Sequence, residues 1–510
     1  MSLIFYLLLL CGLARADYYT TASEMENLLL LERELSRTFL EYYKSRVRKL
    51  DELERFLDGL DQEVEVDISH PTNSYLLIKR FVQKWTNIDQ FGHDEKVKTD
   101  FEMLIAQTDS IIEFNDRYEL QGAVFAIMKT QEIYNVKVSD YAKNFGGNAH
   151  NLTPEDILDI GKNAQNLNYF QLATMWLEEA LKYYKNNEKE KLSSIYEYLA
   201  WTTYQSGELE AAIDYTQNHL DLVKDSAVAA WNLWHYKREL VASFSDPTIR
   251  KDPTVHEKPW NKRHKVLCRH EEEIPKMVKK TLFCDYYAPH YQFYLKPMKR
   301  EIAYDEPNLV IFHDMILAHE INHLKKVARN KLSTAHVYSM IDGRRMTANY
   351  RISKNTWIDD KTDIFVAKII RRVGALLNLD MRYSEPLQVA NYGIGGNYEP
   401  HYDFATPPHN ASIFGDYGEH GNRMATMLIY LTDVEKGGDT VFTTTGPGLI
   451  ATPKKGSAAF WYNLKRSGEG DYKTKHGACP ILLGEKWVAN LWIHEYGQEL
   501  RRPCSLNPDE

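Results

Sequence analysis

"LQVANYGIGGNYEPHYDF", residues 387–404, is the stretch on which the fold turns. An apolar run from Leu387 is interrupted by Gly393, Gly395, Gly396 and Asn397, and a second short run ends in His401-Tyr402-Asp403. Short apolar runs bounded by glycine and asparagine read as strands joined by turns. On a strand, residues i and i+2 point to the same side, so His401 and Asp403 put two metal-binding groups on one face. Alone the pair is a weak signal, since two polar residues in a surface strand look the same.

Working outward, the same texture continues. "RMATMLIYLTDVEKGGDTVF" (423–442), "GSAAFWYNL" (456–464) and "KWVANLWIHEYG" (486–497) are further strands between turns. The region beyond 330 is therefore expected to be a β-rich barrel or jelly-roll with helices before it, one of them near 361–377. A ferrous oxygenase needs two histidines and one carboxylate on one side of the metal, leaving positions for cosubstrate and oxygen. A distant strand must supply the third ligand. "KTKHGACPILLGEKWVANLWIH" offers His476, 75 residues after His401, and Lys486 follows ten residues later. Together with the glycine-rich turns, these four residues make a specific set.

A louder metal motif lies earlier. Residues 319–323 are "HEINH" on an apparently helical stretch, where His319 and His323 would share a face and Glu320 could act as a base. A secreted zinc metalloprotease is the alternative reading this raises. Its third ligand is missing, because no x-x-Gly-x-x-His extension follows and the next glutamate is Glu385. His336 and Asp342 are the remaining candidates. The plainer reading makes His319 and His323 polar residues of a surface helix.

At 510 residues and 44% hydrophobic content, the chain is long enough for two to four domains, and a net charge of −9 argues against a nucleic-acid binder. It opens "MSLIFYLLLLCGLARADYYT", an apolar run followed by Ala14-Arg15-Ala16, which reads as a secretory signal over residues 1–16. No later stretch is apolar and long enough for a membrane span. Cys268, Cys284, Cys479 and Cys504 remain after the signal. Of the three pairings open to them, the local ones, 268 with 284 and 479 with 504, are favoured because they close short loops.

The N-terminal half reads as all-α. Leu28, Leu31, Leu35, Phe39, Tyr43, Val47, Leu50, Leu53, Leu57 and Leu60 recur at steps of three or four, as in a coiled coil. Self-association and packing of one amphipathic helix on its own domain both fit that stripe. From about 154 to 240 two helix–break–helix blocks follow one another and resemble tetratricopeptide units. Tyr196, Tyr198, Trp201 and Tyr204 could place rings on one face of a groove, a good surface for proline-rich peptide in polyproline II form. For any single ring, a place in the core is the more common outcome.

Once these motifs are assembled, the chain resembles the alpha subunits of collagen prolyl 4-hydroxylases, 2-oxoglutarate and iron(II) dioxygenases. The resemblance is closest over 385–504, through "YSEPLQVANYGIGGNYEPHYDF", "KKGSAAFWYNLKRSGEGDY" and "RRPC", and it is looser but ordered from 17 to 380. It implies a multidomain architecture: an N-terminal helical dimerisation domain (17–140), a tetratricopeptide-like peptide-substrate domain (141–240), a disulfide-bearing linker (241–330) and a double-stranded β-helix dioxygenase domain (331–510). It further implies iron(II) held by His401, Asp403 and His476, with Lys486 pairing the distal carboxylate of 2-oxoglutarate and Tyr392 and Thr440 assisting.

O2 is the other cosubstrate that the resemblance implies, and L-ascorbate a further cofactor. The implied reaction is C4 hydroxylation of proline in collagen-like X-Pro-Gly sequences, coupled to decarboxylation of 2-oxoglutarate to succinate. Procollagen or another proline-rich secreted protein is the implied substrate. Protein disulfide isomerase is the implied beta subunit of an α2β2 tetramer in the endoplasmic reticulum lumen. Trp201 stands where the family more often has tyrosine, and 405–420 differs in composition and carries a sequon at Asn410. Asn151 heads a second sequon, weakened by Pro154. A family member that binds proline-rich peptide without catalysis is a third class of reading. The intact His401, Asp403, His476 and Lys486 argue against it.

Overall fold

The computed structural model describes residues 22–44, 67–85, 103–104, 106–108, 117–143, 150–185, 187–249, 259–271, 282–335, 337–338, 345–346, 351–406, 420–445 and 448–508. Its helices are α1 (Ala22–Lys44), α2 (Pro71–Lys79), α3 (Arg117–Tyr134), α4 (Val138–Ala142), α5 (Pro154–Asn166), α6 (Phe170–Leu181), α7 (Lys189–Gln205), α8 (Leu209–Leu222), α9 (Ala227–Ser243), α10 (Pro259–Cys268), α11 (Ala318–Arg329) and α12 (Ile364–Leu377). The helix expected near 361–377 is α12. It starts where Asp363 accepts from the Phe365 and Val366 amides and stops at Asn378, which takes the left-handed conformation.

Apolar spacing and caps account for the helical half. α5 begins with a reciprocal cap in which Thr153 Oγ1 accepts from the Asp156 amide and Asp156 Oδ2 accepts from the Thr153 amide, with Pro154 in the first turn. Helix pairs α5–α6 and α7–α8 then stack, and α9 packs on α8. The stripe expected in α1 turns inward. Met25, Leu28, Leu35 and Phe39 are buried in one core with Tyr75, Phe81 and Trp85, so the described part of this helix packs on its own chain. Val47, Leu50, Leu53, Leu57 and Leu60 lie outside the described residues.

Two sheets face each other in the C-terminal half. The larger has nine strands in the spatial order Cys284–Tyr287 (β1), Met298–Tyr304 (β2), Leu309–His313 (β3), Ala458–Tyr462 (β14), Arg423–Tyr430 (β10), Lys486–His494 (β17), Leu387–Tyr392 (β8), Lys354–Ile358 (β7) and Ser333–Thr334 (β4). The smaller runs Leu449–Ala451 (β13), Thr440–Phe442 (β12), His476–Ala478 (β15) and Tyr398–His401 (β9). Val337–Tyr338 (β5) pairs with Arg345–Met346 (β6), and Lys436–Gly437 (β11) with Ile481–Leu483 (β16). The named pairings are antiparallel, as expected for a jelly-roll.

Three layers of core follow. Between the sheets lie Tyr392, Leu428, Tyr430, Phe442, Trp461 and Val488. The outer face of the large sheet is covered by α11 and α12 through Leu324, Val366, Ile369 and Val373. The small sheet is backed by α3 and α10, where Ile133 and Leu267 meet Val441.

Two expectations need correction. Residues 241–330 are not a linker, because β1, β2 and β3 belong to the nine-stranded sheet, so its strands begin near 284 rather than after 330. The cysteine pairing is also different: Cys268 is bonded to Cys479, with Cα atoms 5.6 Å apart, while Cys284 and Cys504 are exposed free thiols. The reason is spatial. Helix α10 lies across the small sheet and delivers Cys268 to the strand end that carries Cys479.

Candidate active site

His401 and His476 are direct cross-strand partners on β9 and β15, and Asp403 follows two residues after His401. Their rings lie 4.5 Å apart between centroids. Each histidine is oriented from behind: Nδ1 of His401 donates to the Glu399 carbonyl (2.8 Å), and Nδ1 of His476 to the Thr474 carbonyl (2.9 Å). That leaves both Nε2 lone pairs for a metal, the tautomer a ligating histidine requires. Asp403 Oδ1 is 3.6 Å from His401 Nε2, and Oδ2 is 3.7 Å from His476 Nε2. One ligand atom from each of the three residues falls within 4.8 Å of the others. Two imidazoles and one carboxylate around open space are the donor set of a non-haem ferrous site.

The electrostatics agree. Burial alone would raise Asp403, but His476 and His401 reverse this and hold its carboxyl well below the usual range. Burial pushes His476 down to about 4, which keeps it neutral and able to ligate.

Lys486 enters the same cavity from β17, directly across from Tyr392 on β8. Its side chain is 2% exposed, and Nζ donates to the Gly438 carbonyl at 2.5 Å. Among the described residues no carboxylate lies within ion-pair reach of it. Burial pushes its pKa down to about 8, with only the field of Asp439 opposing. Nζ sits 5.6 Å from the Tyr392 ring centre and 5.8 Å from that of Tyr430, whose hydroxyl donates to Thr440 Oγ1 (3.0 Å). The structure thus brings His401, Asp403, His476, Lys486, Tyr392 and Thr440 around one cavity.

Arg351, Tyr398, Asn490 and Trp492 also line it and were not read from the sequence. Asn490 and Trp492 could have been found, because they continue the alternation begun by Lys486 and Val488 on β17. Arg351 carries no such signal.

Among the described residues the earlier metal motif does not assemble; His336 and Asp342 lie outside them. Glu320 turns into the core, where Arg372 holds both its oxygens at 2.7 and 2.9 Å. His323 bonds Asp363 at 2.6 Å, and His319 stays exposed. Among the described residues the other histidine–cysteine cluster is His264, Cys268 and Cys479, whose two sulfurs are already bonded to each other.

The four rings of α7 do not share a face. Tyr196 stacks on Tyr215 of α8, and Tyr198 turns toward Lys162 of α5. Tyr204 is buried on Tyr236, with centroids 4.3 Å apart. Trp201, 41% exposed, meets Tyr204 at 5.9 Å, and Tyr204 touches His235, which stacks on the exposed Trp231. The sequence missed these α9 partners because they come from another helix. Asn151 is exposed before α5, and Asn410 lies outside the described residues.

A jelly-roll with a His-Asp-His cluster and a buried lysine in one cavity fits a 2-oxoglutarate and iron(II) oxygenase, and residues 387–494 match the 2OG-Fe(II) oxygenase superfamily. Residues 21–146 match the N-terminal region of the prolyl 4-hydroxylase alpha subunit, and residues 154–242 match the prolyl 4-hydroxylase peptide-substrate-binding domain. The chain belongs to the prolyl 4-hydroxylase alpha-subunit family. It is 35% identical to prolyl 4-hydroxylase subunit alpha-1 of Homo sapiens, over 99% of this chain and 98% of that one. It is 32% identical to subunit alpha-2 of Caenorhabditis elegans, over 100% and 97%. Among solved structures, the viral collagen prolyl hydroxylase of Paramecium Bursaria Chlorella virus-1 is 25% identical, covering 37% of this chain and 96% of that chain, with a TM-score of 0.30.

Proposed function

We propose that this chain hydroxylates C4 of proline in collagen-like X-Pro-Gly sequences, coupled to oxidative decarboxylation of 2-oxoglutarate to succinate and CO2. One observation carries the reading: a buried ammonium, with no carboxylate in reach among the described residues, shares its cavity with a two-histidine, one-aspartate cluster. Iron(II), when bound, supplies the activation of dioxygen. Every other part falls to the protein. His401, Asp403 and His476 hold the ion. Lys486 pairs the distal carboxylate of 2-oxoglutarate, because a buried dicarboxylate requires a compensating charge. Thr440 and Tyr392 flank that end with hydroxyls, and the apolar walls around Leu428 and Val488 exclude water. L-ascorbate is the proposed further cofactor.

The peptide is read by the helical repeats, with Trp201 and Trp231 as its exposed rings. We assign the beta-subunit role to protein disulfide isomerase in an α2β2 tetramer, the location to the endoplasmic reticulum lumen after removal of residues 1–16, and glycosylation to Asn151 and Asn410. The test is the full chain co-expressed with the isomerase, offered a Pro-Pro-Gly repeat peptide, with succinate and 4-hydroxyproline followed together. Both products should appear in step. His401→Ala, Asp403→Ala and His476→Ala should each abolish them, whereas His319→Ala should leave turnover intact. Turnover that survives loss of a cluster residue would reject the assignment.

A further inference from the structure

Asp403 is held by something the ligand set does not include. Its Oδ2 accepts a hydrogen bond from Thr426 Oγ1 at 2.7 Å. Thr426 Oγ1 in turn accepts from Asn463 Nδ2 at 2.9 Å, and Asn463 Oδ1 accepts from Trp461 Nε1 at 2.8 Å. The direction of this chain is not free. An indole N–H can only donate, so the Asn463 oxygen must face it and the amide nitrogen must face Thr426. The threonine hydroxyl, already accepting, has its proton left for the carboxylate. Asn463 is fully buried, and Thr426 and Trp461 are each 1% exposed, so water does not compete with any link.

The strands explain the alignment. Thr426 on β10 and Trp461 on β14 are direct cross-strand partners, and Asn463 follows Trp461 by two residues on the same face. Trp461 also packs edge-on against the ring of His476, with centroids 4.8 Å apart. The chain therefore starts on one ligand of the cluster and returns to another.

We propose that Thr426, Asn463 and Trp461 are positioning residues for the metal: they fix the carboxylate of Asp403 with one oxygen committed to the Thr426 hydroxyl, and they brace the His476 ring. The proposal rests on the iron-site reading above. None of the three belongs to the His401, Asp403 and His476 cluster itself. Their effect is to order two ligands before the metal arrives, so that binding does not have to freeze the carboxylate.

The test is metal affinity without turnover. Mn(II) and Co(II) are titrated into the full chain without 2-oxoglutarate, by calorimetry and by the Co(II) absorption spectrum, with a melting curve for each variant. Thr426→Val keeps the shape and removes the hydroxyl, and it should weaken Mn(II) binding by about 10–100-fold, the usual cost of losing a partner behind a ligand. Thr426→Ser should restore most of that affinity. Trp461→Phe keeps a ring against His476 but removes the N–H that sets the chain's direction; it should weaken binding less and still shift the Co(II) spectrum. If Thr426→Val and Trp461→Phe both bind Mn(II) as the wild type does, the positioning role is wrong while the iron site stands. If the wild type itself binds neither ion, the iron-site reading falls and this inference falls with it.

Discussion

Lys486 shows what one residue can report about its pocket. Burial lowers its pKa to about 8, against the opposing field of Asp439, so the ammonium is costly there yet still carries its proton at neutral pH. Because the folded value lies below the unfolded one, charged Lys486 penalises the folded state at pH values below about 8, and the penalty disappears as pH rises toward the unfolded value. A carboxylate ligand reverses that balance by pairing with the charge. Binding of 2-oxoglutarate should therefore take up protons above about pH 8, and its affinity should fall as pH climbs further. Calorimetric titrations in buffers of different ionisation enthalpy measure the uptake directly. Lys486→Ala should remove the uptake and weaken binding by about 100-fold or more, through loss of the partner for a buried charge. Metal affinity should change little, because Lys486 is not a ligand. Proton uptake that persists in Lys486→Ala would move the role to another group. The site residues were legible because strand alternation pairs His401 with Asp403 and donor chemistry singles out His476 and Lys486 downstream. Thr426 and Asn463 were not, since a threonine and an asparagine inside apolar strands announce nothing until the cross-strand register is known.

At the scale of elements, helices were easier to read than sheet edges. In the structure α5 opens on the cap of Thr153, Pro154 and Asp156 and α12 on that of Asp363, and such caps are local chemistry. β1 and β2 were hidden. Their segment, "CDYYAPHYQFYLKPMKREIAY" (284–304), is broken by prolines and exposes Tyr286, Tyr291 and Tyr294, as an edge strand can and a buried one cannot. The ring cluster of α7 and α9 was half legible, because sequence shows that rings recur but not which of them a second helix will cover. Burial now separates the roles. Tyr204 stacks on Tyr236 and is core, so Tyr204→Ala should lower the stability of the repeat region by about 3 kcal/mol. Trp201 and Trp231 are exposed, so Trp201→Ala and Trp231→Ala should leave the melting curve nearly unchanged while weakening the full chain's binding of a polyproline peptide by several-fold. Melting by circular dichroism and peptide titration by fluorescence distinguish the two. Equal peptide affinity in both tryptophan variants would place the peptide elsewhere.

At the scale of the whole molecule, the helical half and the jelly-roll share one set of contacts. Arg269, just past α10, donates to the Glu132 carbonyl at the end of α3, and Tyr134 donates its hydroxyl to the Pro480 carbonyl at 2.6 Å. Glu24 of α1 pairs with the buried Lys354 of β7 at 2.9 Å. The Cys268–Cys479 bond lies in the middle of this seam and joins residues 211 positions apart. Loop-closure reasoning favours short local loops when sequence is the only guide, yet a crosslink between distant segments restricts the unfolded chain more. Peptide mapping of the unreduced chain should recover 268 joined to 479, and alkylation without reduction should label Cys284 and Cys504 alone. Recovery of 268 with 284 and 479 with 504 would show that α10 is not tied to the small sheet. The paired variant Cys268→Ser, Cys479→Ser should lose about 2–4 kcal/mol of stability. Its metal site should suffer as well, because Cys479 follows His476 by three residues and α10 packs His264 beside Gly477 of β15. The measurement is Mn(II) affinity of that variant at a temperature where it remains folded. Weakened binding there ties the helical half to the active site, and unchanged binding would confine the bond to stability.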